Sequence, residues 1–156
     1  GELGDLACHT LDAPFWSLDL GMPSATECTY NTGAPNGFLP DQSIIKFEFP
    51  KRGNKAPVTM KWYEGMEKPA VRPEWGIDEL PGGGMIMIGD KKTLITGGRP
   101  NNPRLLVPDE EMEAFLKNAP EQTIPRVGEE QPVQEWIDAI KKNDVLKNLR
   151  LFFLRR

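Results

Sequence analysis

The chain has 156 residues, 38% of them apolar, and a formal charge of −4, which is one domain's length with enough apolar material for a core. The acidic balance and the lack of a Lys/Arg stripe exclude a nucleic-acid surface. No run reaches the roughly 18 consecutive apolar residues of a membrane span, and the first residues lack the basic-then-apolar layout of a signal peptide.

Residues 4–20 predict a helix. Ala7, Cys8, Leu11, Phe15 and Leu18 recur at helical spacing as its apolar face, while Asp5, His9, Asp12 and Trp16 share another. Pro14 removes the hydrogen bond to the Thr10 carbonyl and should kink the helix or end its first half; Gly21 is the natural stop. The opening Gly1-Glu2-Leu3 runs almost directly into this helix, as in a piece cut from something longer. Cys8 and Cys28 are the only cysteines. They form neither a disulfide framework nor a zinc spacing and are expected as buried thiols. Residues 25–30 predict a short strand and 31–40 a loop.

The clearest hairpin follows. Ile45, Phe47 and Phe49 alternate with Lys46 and Glu48, and after a connection over 50–57, Val58, Met60 and Trp62 alternate with Thr59, Lys61 and Tyr63. Alternation of this kind marks an antiparallel sheet covered on one side. Residues 65–84 form a Pro/Gly-rich excursion. A second hairpin pairs 85–88 with 93–96 through Gly89-Asp90-Lys91-Lys92, and 104–107 adds a further strand. Pro108-Asp109-Glu110-Glu111 is a helix N-terminus ahead of Met112, Phe115 and Leu116, with Pro120 as its stop. Pro132 opens another helix whose apolar stripe is Val133, Trp136, Ile137 and Ile140. Residues 149–154 are too apolar for a free tail. A helix first, a strand meander next and helices last predict an α+β fold with helices packed on one face of a predominantly antiparallel sheet.

Function has to come from a site rather than from such a fold. Asp5 and His9, the only histidine, lie four residues apart and so project from one helical face, about 6 Å apart along the axis. The pair can be a surface ion pair. It can be part of a metal site with Asp12, although a second histidine or a cysteine cluster is lacking. It can also do acid/base work, since histidine titrates near neutrality and a carboxylate one turn away can orient it. Gly82-Gly83-Gly84 precedes a strand rather than a helix, and no Gly-x-Gly-x-x-Gly follows a strand, so this chain alone is not expected to bind a dinucleotide. Trp62, Trp75 and Trp136 read as core or turn anchors, and the acidic run 109–113 as a solvated helix start.

Several stretches in order resemble the C-terminal domain of the Gfo/Idh/MocA oxidoreductases, in particular a bacterial subgroup. They are Gly4-Asp5-Leu6-Ala7-Cys8-His9-Thr10-Leu11-Asp12 with Phe15-Trp16-Ser17-Leu18-Asp19-Leu20-Gly21-Met22-Pro23, and Lys61-Trp62-Tyr63-Glu64-Gly65 with Lys68-Pro69. Further on come Gly83-Gly84 with Ile88-Gly89-Asp90-Lys91, then Ile124-Pro125-Arg126, and Gln134-Glu135-Trp136-Ile137-Asp138-Ala139. The resemblance runs from Gly4 to about Lys142 and implies a C-terminal domain like that of glyceraldehyde-3-phosphate dehydrogenase, with residues 1–156 as one substrate-binding and oligomerisation domain.

It also implies chemistry. His9 would be the general base that removes a hydroxyl proton from a sugar-like or polyol carbinol while the hydride passes to NAD or NADP. Asp5 would orient it, and Asp12 would join both in binding substrate. The cofactor would be held mainly by a preceding nucleotide-binding domain that also carries a catalytic Glu-Lys-Pro lysine. Glu67-Lys68-Pro69 spells that motif, but it follows Asp5 and His9 and reads as coincidence. The isolated chain is therefore expected to be inactive in hydride transfer. From Asn143 onward nothing matches the family's closing segment, so the end is expected to be truncated or altered. The open sheet face bearing Lys46, Glu48, Thr59, Lys61 and Tyr63 would build a homo-oligomer. Partners are thus a small sugar-like molecule and further copies of the chain, with no nucleic acid and no membrane; the compartment stays open. Two other classes compete: a stand-alone binding or assembly module of the same fold that lost the chemistry, and a metal-dependent hydrolase built on Asp5, His9 and Asp12.

Overall fold

Strand alternation builds the centre of the fold. The computed structural model describes residues 1–33, 37, 39–100, 102–121, 123 and 132–142, and the chain divides into two units, Gly1–Leu116 and Lys117–Arg156. In the first unit β1 (Ala25–Thr32), β2 (Gln42–Phe49) and β3 (Val58–Glu64) form an antiparallel sheet in the order β1-β2-β3. Ile45 stands opposite Trp62, Phe47 opposite Met60 and Phe49 opposite Val58, so the apolar set shares one face. Ile44, Lys46 and Glu48 face the other way, opposite Tyr63, Lys61 and Thr59. Both faces are as the alternation predicts.

The strand predicted over 25–30 runs on to Thr32, with a bulge between Cys28 and Tyr30. At the bulge the Thr29 hydroxyl donates to the Ile44 carbonyl at 3.1 Å. β1 is an edge strand, exposed along almost its whole length. Cys28 is therefore exposed, as is Cys8, and neither is the buried thiol expected from composition.

The N-terminal helix is three short pieces rather than one: α1 (Glu2–Asp5), α2 (Ala7–Thr10) and α3 (Asp12–Leu18). Leu6 and Leu11, at the joints, keep right-handed helical torsions, so the spiral continues through them. The second break falls where Pro14 denies the Thr10 carbonyl a partner, and Pro14 itself sits in the first turn of α3, where a missing N–H does no harm. The end is not at Gly21. Asp19 takes a left-handed torsion (φ 54°), its N–H donates to the Trp16 carbonyl at 3.3 Å and that of Leu20 to Phe15 at 3.1 Å, a Schellman closure two residues early.

The buried side of this segment also differs from the expected one. Ala7, Thr10 and Pro14 are buried, while Cys8 and Phe15 are exposed. Spacing of three and four residues makes Ala7, Thr10 and Pro14 one helical stripe, rotated from the hydrophobic one. Their small size lets the backbone come close to its neighbours, a gain that hydrophobicity does not register. Phe15 lies at the margin, edge-on to Phe49 with ring centroids 5.5 Å apart. Among the described residues, Phe49 and Leu20, each 2% exposed, are the most deeply buried large side chains.

The remaining strands do not extend the first sheet. β4 (Met85–Ile88), β5 (Thr93–Thr96) and β6 (Arg104–Leu105) form a second three-stranded antiparallel sheet, which corrects the expectation of one continuous sheet and shortens the strand predicted over 104–107. The excursion over 65–84 explains the division. It separates β3 from β4 and builds a core in which Trp75, Leu80 and Leu106 are packed with Val71, Ile77, Ile86 and Ile95. α4 (Asp109–Lys117) follows. Its acidic first turn is not merely solvated, since Glu111 pairs with Lys92, and Asp109 with Arg104 at 3.6 Å.

In the second unit α5 spans Pro132–Lys142 as predicted. Val133, Trp136 and Ile140 are exposed there, so Trp136 is not the core anchor expected. Gln134 donates to the Asp138 carboxylate at 2.8 Å along the helix. Ile124-Pro125-Arg126 and the apolar stretch 149–154 lie outside the described residues. Among the described residues no helix is long and apolar enough to cross a membrane.

Candidate functional site

Asp5 closes α1 and His9 lies in α2, with Leu6 as the helical joint between them. The joint matters because a full break there would destroy the four-residue spacing. Instead Leu6 N–H donates to the Glu2 carbonyl, and the Leu6 carbonyl accepts from His9 and Thr10 N–H groups at 3.0 and 3.2 Å. Asp5 and His9 therefore keep adjacent places on one side of the spiral, and both side chains are exposed. Asp12 and Trp16 continue that side at the spacings of three and four residues. Asp12 is half-buried and Trp16 is 45% exposed. This polar side lies across the helix axis from the buried Ala7/Thr10/Pro14 stripe.

Two ties hold the segment. At its start the backbone N–H of Glu2 donates to Glu64 Oε1 at 2.9 Å. At its far end the Thr10 hydroxyl donates to the Gly98 carbonyl at 2.7 Å. Glu64 is the last residue of β3, and Gly98 lies just beyond β5. One tie thus reaches the first sheet, and the other the bend just past the second. Further along, Arg52 Nε donates to the Leu18 carbonyl at 3.3 Å. Sequence pattern marks neither Thr10 nor Glu64. Each bonds a partner far away along the chain, and the one available signal is a hydroxyl on the same helical stripe as Ala7.

Among the described residues no hydrogen bond or ion pair joins the Asp5 carboxylate to the His9 imidazole. No group of three His, Cys, Asp or Glu side chains there could hold a metal ion, so Asp5, His9 and Asp12 share a face without converging as a ligand set. The arrangement offers an exposed imidazole, two carboxylates and an aromatic ring along one helical side. Such a set can accept a proton and hydrogen-bond hydroxyl groups.

The other sequence candidates have structural roles. Lys68 Nζ donates to the Leu80 carbonyl at 3.1 Å and ties the excursion to its own core. In Gly82-Gly83-Gly84 the last glycine has φ 148° and abuts the Thr96 carbonyl, which leaves no room for a Cβ. The triplet leads into β4, a strand, and no helix N-terminus follows to receive a phosphate. Trp62 and Trp75 are anchors, as predicted, with indole nitrogens buried and without a hydrogen-bond partner.

No family model matches the chain, and neither a curated protein nor a solved structure shows significant similarity to it.

Proposed function

We propose that this chain is the substrate-side domain of an NAD(P)-dependent oxidoreductase of the Gfo/Idh/MocA type, with a sheet domain like that of glyceraldehyde-3-phosphate dehydrogenase, acting on a sugar or polyol carbinol. The observation that carries this reading is the placement of Asp5 and His9 one turn apart on an exposed side of a helical segment tied to the end of β3 and to the bend after β5. His9 takes the proton as the carbinol O–H bond breaks and the carbonyl forms. Asp5 orients the imidazole once substrate closes the pair. Asp12 accepts hydrogen bonds from neighbouring hydroxyls, and the exposed ring of Trp16 offers an apolar surface to the C–H side of the same molecule. The carbinol hydrogen leaves as hydride, which a nicotinamide accepts when bound. In the family this chain resembles, that cofactor is held mainly by a separate nucleotide-binding domain.

Replacing His9 by Ala in the full-length enzyme should lower kcat by about 10²-fold or more, on the order of a lost general base, with cofactor affinity unchanged. Turnover equal to that of the wild type would remove His9 from the chemistry.

A second reading rests on the unbonded state of Asp5 and His9: a binding or assembly module that keeps the fold without the reaction. The gene upstream of Gly1 separates the two. A strand with Gly-x-Gly-x-x-Gly and a later Glu-Lys-Pro supports the oxidoreductase, and a start codon at that point supports the module. Under either reading we propose self-association through the sheet face bearing Lys46, Glu48, Thr59, Lys61 and Tyr63. Light scattering that gives a monomer mass at high concentration would sink that proposal.

A further inference from the structure

We infer that Thr10 and Glu64 are positioning residues that set the direction of the His9 imidazole and the Asp5 carboxylate, one by gripping each end of the short helical segment between them. This rests on the catalytic reading of His9 for its functional meaning, but the mechanical claim stands on its own geometry. α1 and α2 are four residues each. Helices of that length are not stable by themselves, because nucleation is unfavourable and too few bonds follow it. Neither has a side-chain N-cap. The spiral continues through Leu6 and Leu11 into α3, so tertiary ties and that continuity together set the orientation of α1 and α2.

Those ties are few and well placed. The Glu64 carboxylate, almost fully buried at the end of β3, accepts the Glu2 N–H, which is one of the first-turn donors with no partner inside the helix. Thr10, also buried, donates its hydroxyl to a backbone carbonyl, and a backbone acceptor next to a strand cannot follow a side-chain rotation. Between these two points the only buried side chain is Ala7, a single methyl that offers close approach and little grip. With both ends fixed, the spiral cannot roll about its axis. Asp5 and His9 are then kept on the solvent side. Without one tie, the spiral is held mainly from α3, where Pro14 is buried and Phe15 packs on Phe49, so its Asp5/His9 turn can shift, and a shift of about 1 Å in a reacting group costs on the order of 10²-fold in rate.

Two pairs of variants test this. Thr10→Val and Glu64→Leu remove the donor and the acceptor with little change of size, whereas Thr10→Ser and Glu64→Gln retain them. In this chain the first readout is amide hydrogen exchange over residues 6–11, with β2 as the internal control for folding. The second is the imidazole NMR signal, which is unambiguous because His9 is the only histidine. Thr10→Val and Glu64→Leu should each raise exchange about tenfold or more, the mark of a local opening made easier, with β2 unchanged and the imidazole signal shifted. Thr10→Ser and Glu64→Gln should return both readouts to wild-type values. In the full-length enzyme kcat should fall with KM and cofactor affinity retained, and the conservative pair should restore it. Wild-type exchange and an unmoved imidazole signal in both disruptive variants would overturn the positioning role whatever the kinetics show. Loss of order without recovery in the conservative pair would overturn it too. Unchanged turnover in His9→Ala would instead overturn the catalytic reading and leave the mechanical result in place.

Discussion

Lys46 stands directly opposite Lys61 across the β2–β3 pair, an arrangement that repels unless other charges intervene. They do: Lys46 Nζ lies 2.9 Å from Glu27 on β1 and 3.5 Å from Glu48 on its own strand, and Thr59 donates to the second Glu48 oxygen at 2.8 Å. The hydrogen bond and charge of Glu27, with a smaller part from Glu48, hold the ammonium above its ordinary 10.5. A raised value means that the folded form binds this proton more tightly than the unfolded chain does. The contribution is therefore complete below about pH 10.5 and is lost as pH rises through the higher folded value. The pair is exposed, and its contribution is correspondingly small and salt-sensitive. Alkaline unfolding curves should show a loss of stability in that range that is smaller in Lys46→Met; identical curves for the two proteins would show that the ion pair contributes nothing there.

At the scale of elements, the legible parts are those in which one periodicity rules. The β2–β3 register follows from alternation alone, because an offset of one residue would turn Phe47 and Phe49 outward. The break before α3 follows from Pro14. The helix end escapes sequence reading because Asp19, not a glycine, takes the left-handed torsion, and the buried stripe escapes it because Ala7, Thr10 and Pro14 serve close approach rather than hydrophobic area. The division into two sheets depends on what the 65–84 excursion packs against, and no local pattern carries that. Gly65 begins the excursion with φ 84°, and a Cβ there would stand 2.6 Å from the Asp41 carbonyl oxygen. Gly65→Ala should destabilise the first sheet by about 2 kcal/mol or more, the left-handed penalty plus the displaced Asp41 strand entry. Chemical denaturation measures it, and a midpoint equal to that of the wild type would mean that the backbone relaxes freely there.

For the whole molecule, the candidate site divides the same way. The Asp5/His9 spacing is legible because a helix turns local sequence into a shared face. Which way that face points is not, because the orientation depends on Glu64 and Gly98, residues that no local window connects to Glu2 and Thr10. Every residue that brings them together lies within the first unit. So do the buried apolar side chains Ala7, Leu20, Phe49, Trp75, Leu80 and Leu106. Among the described residues, every buried apolar side chain of this core lies between residues 7 and 106. A chain ending after α4, at Lys117, should therefore melt cooperatively within about 5 °C of the full protein, a difference of about 1 kcal/mol at this size. It should also give the same imidazole signal for His9. A broad, non-cooperative melt would show that residues beyond 117 complete the core, and a moved imidazole signal in a chain that still melts sharply would show that they reach the candidate site.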